Sequence, residues 1–229
     1  MNKLLSMFTG MAFLAVLSGC ASNLMKEVGS QEISPPAPDK VKVVFMRTSF
    51  VASAIGAELF EVVDGKLNFI GALPKGNKIV YETTPGKKVF MAYGTAADFM
   101  LGDLTGGRIY YSIVRPNWGT GGMIPTPIRA DGTSEFHTKS AEFPGWVTGT
   151  TMIAPTAEAQ DWFNKERERY QEIYGRYWDT FQRKTPSEKA QRTLNPADGL
   201  HVVDMVEGLD FQELQRLTGV PLKRLSAAA

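Results

Sequence analysis

Between residues 41 and 116, apolar and polar side chains alternate in short runs, and a turn signal separates each run from the next. A period of two places one set of side chains in a core and the other outside it, as a half-buried strand does; a helix needs a period near 3.6. The first run is Val41–Arg47 (VKVVFMR). Residues 57–63 and 67–73 flank Asp64-Gly65, a pair that accepts positive φ at both central positions of a tight hairpin. Pro74-Lys75-Gly76-Asn77 forms a second turn, followed by alternating Ile79, Tyr81 and Thr83. Pro85-Gly86 matches a type II turn. Val89, Met91 and Tyr93 alternate next; after Thr105-Gly106-Gly107, so do Ile109, Tyr111 and Ile113. Strands at a spacing of roughly 8–12 residues predict a small antiparallel β-sandwich.

The period changes after residue 155. Ala159, Phe163, Tyr170, Tyr174, Tyr177 and Phe181 recur at helical spacings, and Trp162, Ile173 and Trp178 widen the stripe. Lys165, Glu168, Glu172, Arg176 and Asp179 occupy the other side, with Asp161–Lys165 and Glu172–Arg176 at the i,i+4 spacing of favourable pairs. A helix over 156–184 is therefore expected, about 45 Å long and opened by Thr156 as N-cap. Pro186 stops it, and Thr185-Pro186-Ser187-Glu188 reads as a capping box for a short helix. Residues 209–225 read as a helix, a glycine turn at Gly219 and a second helix. The expected class is α+β, with a sandwich over 40–154 and a helical region over 155–229.

The N-terminus carries an address. Lys3 precedes a mostly apolar run from Leu4 to Leu17. A signal-peptide core takes roughly 7–15 apolar residues, whereas a membrane-spanning helix takes about 20. The run ends in Leu17-Ser18-Gly19-Cys20, and Cys20 is the chain's one cysteine. This resembles the lipobox of bacterial lipoproteins. The resemblance implies cleavage before Cys20 and a diacylglyceryl group on its thiol, with two or three fatty chains in all. Each buried CH₂ contributes about 0.8 kcal/mol to anchoring, so two or three chains hold stably where one does not. Ala21 and Ser22 follow, with no aspartate after the cysteine. By the same resemblance, that implies an outer-membrane location facing the periplasm. Residues 21–39 include Pro35-Pro36-Ala37-Pro38 and read as a flexible tether of at most roughly 60 Å.

A further resemblance rests on turn motifs. A strand, Val63-Asp64-Gly65-Lys66, Ile70-Gly71-Ala72-Leu73 and Thr84-Pro85-Gly86-Lys87-Lys88-Val89 together are similar to the PEGA-like, carboxypeptidase-regulatory-like sandwich domains of transthyretin type. In particular they resemble bacterial lipoproteins of unassigned activity built on such a domain. The likeness covers residues 41–116 and implies an accessory or binding role, with no catalytic residue to transfer.

Charge argues against some partners. The chain has 25 basic and 24 acidic residues, and loss of residues 1–19 removes Lys3 alone, leaving 24 of each sign. Nucleic acid as a partner calls for clustered Lys and Arg, which this chain lacks. His137 and His201 lie far apart in sequence with no second cysteine, so neither a zinc site nor any other cofactor or metal is expected. No G-x-S-x-G elbow occurs. Gly119, Gly121 and Gly122 lack the Gly-Lys-Ser/Thr ending of a phosphate cradle.

Two features remain as candidate sites. Residues 117–149 form a Gly- and Trp-rich stretch, with strands expected near 134–137 and 146–153; Trp118 and Trp146 on it suit stacking against a sugar ring. The stripe of Trp162, Phe163, Tyr170, Tyr174, Tyr177, Trp178 and Phe181 suits packing on the sandwich, or a face for another envelope protein or a second copy. The sequence thus points to a membrane-anchored, non-enzymatic accessory or interaction module. A glycan- or peptidoglycan-binding lipoprotein is the alternative, and a hydrolase with a site assembled from distant residues is a third reading.

Overall fold

A computed structural model describes residues 24–48, 56–119, 121–130, 132, 134–194, 200–202, 205, 208–218 and 222–224. In chain order the elements are β1 (Met25–Glu27), β2 (Val41–Arg47), β3 (Glu58–Val63), β4 (Lys66–Ala72), β5 (Asn77–Thr83), β6 (Gly86–Tyr93), β7 (Ala97–Leu104), β8 (Arg108–Pro116), β9 (Met123–Ile128), α1 (Phe143–Thr148), β10 (Thr151–Pro155), α2 (Ala157–Gln182), α3 (Pro186–Gln191), β11 (Thr193–Leu194), β12 (Leu200–Val202), α4 (Phe211–Thr218) and β13 (Leu222–Arg224). One sheet runs β1-β10-β5-β2-β8-β9 and the other β11-β7-β6-β3-β4, with β12 and β13 paired separately.

The alternation within each strand decides which layer a side chain enters. Val41, Val43 and Phe45 join Leu59, Ile79, Phe90, Met100 and Val114 between the two sheets. Val44 and Met46 point the other way and pack with Ile113, Ile128, Phe143, Trp146 and Val147 under α1. On the far side, Phe60, Met91 and Phe99 leave the second sheet to meet Phe163, Tyr170 and Phe181 of α2. The order of layers is therefore helix, sheet, sheet, helix. β2 is buried along almost its whole length because both of its faces are covered, which is why VKVVFMR reads as a nearly continuous apolar run.

Turn chemistry matches the sequence. Asp64 has φ 50 and Gly65 φ 74, as the two-residue hairpin between β3 and β4 requires. The turns at 73–76 and 84–85 carry the chain from one sheet to the other.

Several expectations are corrected. The sheets are mixed: β2 pairs parallel with β8, β10 with β5 and β11 with β7. Sandwich crossovers place strands of like direction side by side, and turn signals do not reveal partners. The chain from residue 24 onward is not a free tether. β1 pairs antiparallel with β10, Val28 N–H donates to Met152 O at 3.1 Å, and Ile33 packs on the α1 layer. Leu24, Met25 and Ile33 supply the apolar contacts that a tether does not need.

The C-terminal part is not purely helical. β11 closes an edge of the second sheet, and Leu222–Arg224 is a strand where a second helix was expected; Gly219 lies outside the described residues. Residues 134–137 contribute one isolated bridge, Arg129 to His137. Residues 146–153 divide between the end of α1 and the start of β10, because Pro144 opens a helix whose end Lys78 holds by donating to Val147 O at 3.1 Å and to Thr150 O. β9 was hidden by its prolines, which an edge strand tolerates.

The long helix forms where expected, with 26 residues and a length of about 39 Å. Thr185 and Glu188 complete the capping box of α3. The Asp161–Lys165 and Glu172–Arg176 pairs are absent from the ion pairs among the described residues; Glu166–Arg169 forms at 3.0 Å. Exposed pairs contribute about 0–1 kcal/mol, too little to hold long side chains in place.

Candidate functional site

The ends of β2 and β8 and the starts of β3 and β5 meet at one end of the sandwich, where β6 also turns into β7. Charged side chains gather there in two groups. In the first, Arg47 continues the inward phase of Val43 and Phe45, is fully buried, and donates from Nη1 to Leu73 O at 3.1 Å. Burial lowers its pKa, and the nearby Glu58 charge raises it. Glu58 opens β3 on the helix side. Burial pushes its carboxyl up to about 7, against the pull of its own backbone amide, Arg169 and Arg47. Tyr93 and Tyr170 meet edge to face at 5.7 Å beside it, and Arg169 lies 5.4 Å over the Tyr170 ring while pairing with Glu166. Burial first, and the Glu58 charge second, raise the Tyr170 pKa.

The second group surrounds Asp98 at the start of β7. Its carboxylate accepts from Phe99 N–H at 2.8 Å and from Asn117 Nδ2 at 2.9 Å, and it pairs with Arg192 at 3.1 Å. Asn117 begins the loop between β8 and β9. Its amide donates to Gly122 O and its carbonyl accepts from Gly121 N–H, both at 2.8 Å. A Cβ on Gly122 would lie 2.3 Å from Ala96 O, so only glycine lets the loop close on the β6–β7 turn. Thr95 Oγ1 donates to Gly121 O and completes the closure. The loop is thus pinned at both ends. At its tip Trp118 is 76% exposed.

A third polar group lies between the sheets. Glu61 shares the inward phase of Leu59; Tyr81 donates to it at 2.6 Å and Thr83 at 3.1 Å, while Lys88 pairs with it at 3.0 Å. Every partner of this carboxylate is accounted for inside the protein, which suits a structural tie.

The chain matches no protein-family model, no curated protein and no solved structure.

Cys20 and the lipobox residues Leu17, Ser18 and Gly19 lie outside the described residues. Trp118 and Trp146 are not brought together: Trp146 is half-buried on α1, 5.7 Å from Phe136 and 6.4 Å from Phe143. It is a packing residue. Of the helix stripe, Phe163, Tyr170 and Phe181 are buried on the second sheet, and Trp162, Tyr174, Tyr177 and Trp178 are half-buried around them. Packing is the use these contacts describe. His137 Nδ1 and Ser140 Oγ are each buried without a hydrogen-bond partner among the described residues, so they form no nucleophile–base pair. His201 is described only as part of the β12 backbone. Among the described residues, no three His, Cys, Asp or Glu side chains gather to hold a metal ion, and no helix is long and apolar enough to cross a membrane.

Sequence reasoning missed Arg47, Glu58, Glu61 and Asp98. For Arg47 and Glu61 a signal was present: each is a charge in the apolar phase of its strand.

Proposed function

We propose that this chain is a lipid-anchored protein of the bacterial envelope, facing the periplasm from the outer membrane, whose sandwich serves as a non-enzymatic interaction module. The observation that carries this reading is Leu17-Ser18-Gly19-Cys20 after a short apolar run, with Cys20 the chain's one cysteine. Acyl chains on that residue supply an anchor that a cleaved chain with 24 charges of each sign cannot obtain from electrostatics. The module's partner is another envelope protein or a second copy, met by the solvent side of α2. There Trp162, Tyr174, Tyr177 and Trp178 keep part of their surface exposed beside Glu172 and Arg176. Metabolic labelling with a fatty-acid analogue tests the anchor: label should appear on the parent and vanish with Cys20→Ser. Crosslinking through residues 156–184 should then recover one defined envelope protein or the chain itself. Recovery of random neighbours counts against the module.

A second reading is favoured by one observation. Trp118 stands exposed on a pinned loop, and an aromatic face in that setting suits stacking on a sugar ring. In this reading the module binds a glycan such as peptidoglycan. Cell-wall pull-down should fall with Trp118→Ala and stay at parent level with Trp146→Ala. Equal retention of both variants removes the glycan reading.

A further inference from the structure

The sheet takes hold of the chain very soon after the proposed lipid site. Leu24 is 7% exposed, its carbonyl accepts from Thr156 N–H at 2.9 Å, and β1 begins at the next residue against β10. Cys20 and Leu24 are separated by four Cα steps. Even fully extended, those steps reach at most about 15 Å. A tether ending at residue 39 would reach roughly four times as far.

We propose that the lipid anchor holds the β1–β10 edge and the first turn of α2 flush against the bilayer surface, and that the loop bearing Trp118 faces away from it. This rests on the lipidation proposed above. The covering occupant is the lipid headgroup layer, because the chain leading to it leaves the fold at this edge with so little slack. The surface there is polar: Lys26, Glu27, Glu158, Gln160 and Asp161 are exposed, as suits contact with headgroups and not insertion. Trp118 is at the opposite corner. β8 lies four strands from β1 in the first sheet, about 20 Å across at the usual strand spacing. By strand direction through β10, β5 and β2, Leu24 also lies toward the start of β8, whereas Trp118 follows its end. A glycan arriving from the periplasm meets that corner first.

The test uses the full-length acylated protein in lipid nanodiscs. A thiol probe at an introduced cysteine is clean, because the native Cys20 sulfur is taken up in the thioether to its lipid. Gln160→Cys marks the membrane edge and Gly119→Cys the far corner. A dye on each is read by energy transfer to an acceptor on the lipid headgroup. The Gln160→Cys dye should be quenched several-fold more than the Gly119→Cys dye. A twenty-residue Gly/Ser insert after Ser22 should bring the two to the same level. Acylated protein in which both dyes transfer equally without the insert overturns the orientation, and so does a difference that the insert leaves intact. A missing acyl label on Cys20 removes the lipoprotein reading itself, and is scored separately by mass.

Discussion

The phenol of Tyr81, on one sheet, donates to the Glu61 carboxylate on the other at 2.6 Å and ties the two layers together inside the sandwich. Glu61 keeps 4% of its side chain exposed and Lys88 14%. A charge so placed is tolerated only with its partners present. Removing one member of a buried pair typically costs about 3–5 kcal/mol, whereas replacing both with apolar groups is often neutral. Lys88→Met should therefore destabilise strongly, and Glu61→Gln with Lys88→Met should recover part of the loss, because the amide removes the unpaired charge while its oxygen still accepts from Tyr81 and Thr83. Urea unfolding of both variants checks this. A double variant no more stable than the single one would mean that Lys88 is not what makes the Glu61 charge tolerable.

Glu58 makes stability depend on pH. Its carboxyl rises from an ordinary 4.5 to about 7 in the fold, burial being the main cause. The folded state therefore keeps a proton that the unfolded chain releases. The contribution is fully present below the unfolded pKa, declines as pH rises through the window from 4.5 to about 7, and is flat above it. A shift of this size corresponds to at most about 3 kcal/mol, and solvent screening of a half-buried group reduces it. Glu58→Gln should be more stable than the parent at pH 8 and show little difference at pH 4. Denaturant midpoints across that range decide it; a constant difference at all pH values would exclude the carboxyl as the cause.

Phe60 is the centre of the helix–sheet layer, with Tyr170 at 5.0 Å, Phe163 at 5.5 Å and Phe69 at 5.6 Å. Truncating such a ring typically costs about 3–5 kcal/mol. Phe60→Ala should therefore unfold much of the protein at moderate denaturant. Trp118→Ala should stay within about 0.5 kcal/mol of the parent, as exposed substitutions do. The contrast separates a ring that holds the fold from one that the fold displays. A large loss with Trp118→Ala would show that this ring packs in solution.

How far the sequence discloses this molecule depends on the range of the interaction. Asp64-Gly65 and the Thr185–Glu188 box are legible because every atom involved lies within four residues. The α2 stripe is legible because its period is local, and its dense aromatics are matched by Phe60, Phe69 and Phe99 on the sheet. Strand partners are not local. Nothing in VKVVFMR says that it runs parallel to residues 108–113 and antiparallel to 77–83. The docking of residues 25–27 was concealed by the prolines after it, although Leu24, Met25 and Ile33 were apolar where a tether would be polar. At the candidate site the tryptophans were visible but not their difference: Trp118 and Trp146 look alike in sequence, and only the covering of one by Phe136 and Phe143 separates them.

Gly71 decides whether β1 can dock. Its φ is 153, and a Cβ there would lie 2.8 Å from both the Met25 Cε and the Ile79 Cδ1. Met25 also accepts from Ala72 N–H at its sulfur, 3.3 Å away. A larger side chain at this position adds backbone strain and displaces Met25, and substitution at a positive-φ glycine costs more than about 1 kcal/mol. The Ile79 side chain belongs to the central layer and has little room to yield, whereas the Met25 end is flexible and lies on a short edge strand. Strain should therefore discharge by releasing β1 and leave the rest of the sheet in place. With Gly71→Val, the Val28 and Thr156 amides, which donate to Met152 O and Leu24 O in the parent, should exchange with solvent much faster. The amides of β2, between β5 and β8, should keep their protection. Uniform acceleration across both groups would mean that Gly71 supports the whole sandwich and not the hold on its first strand.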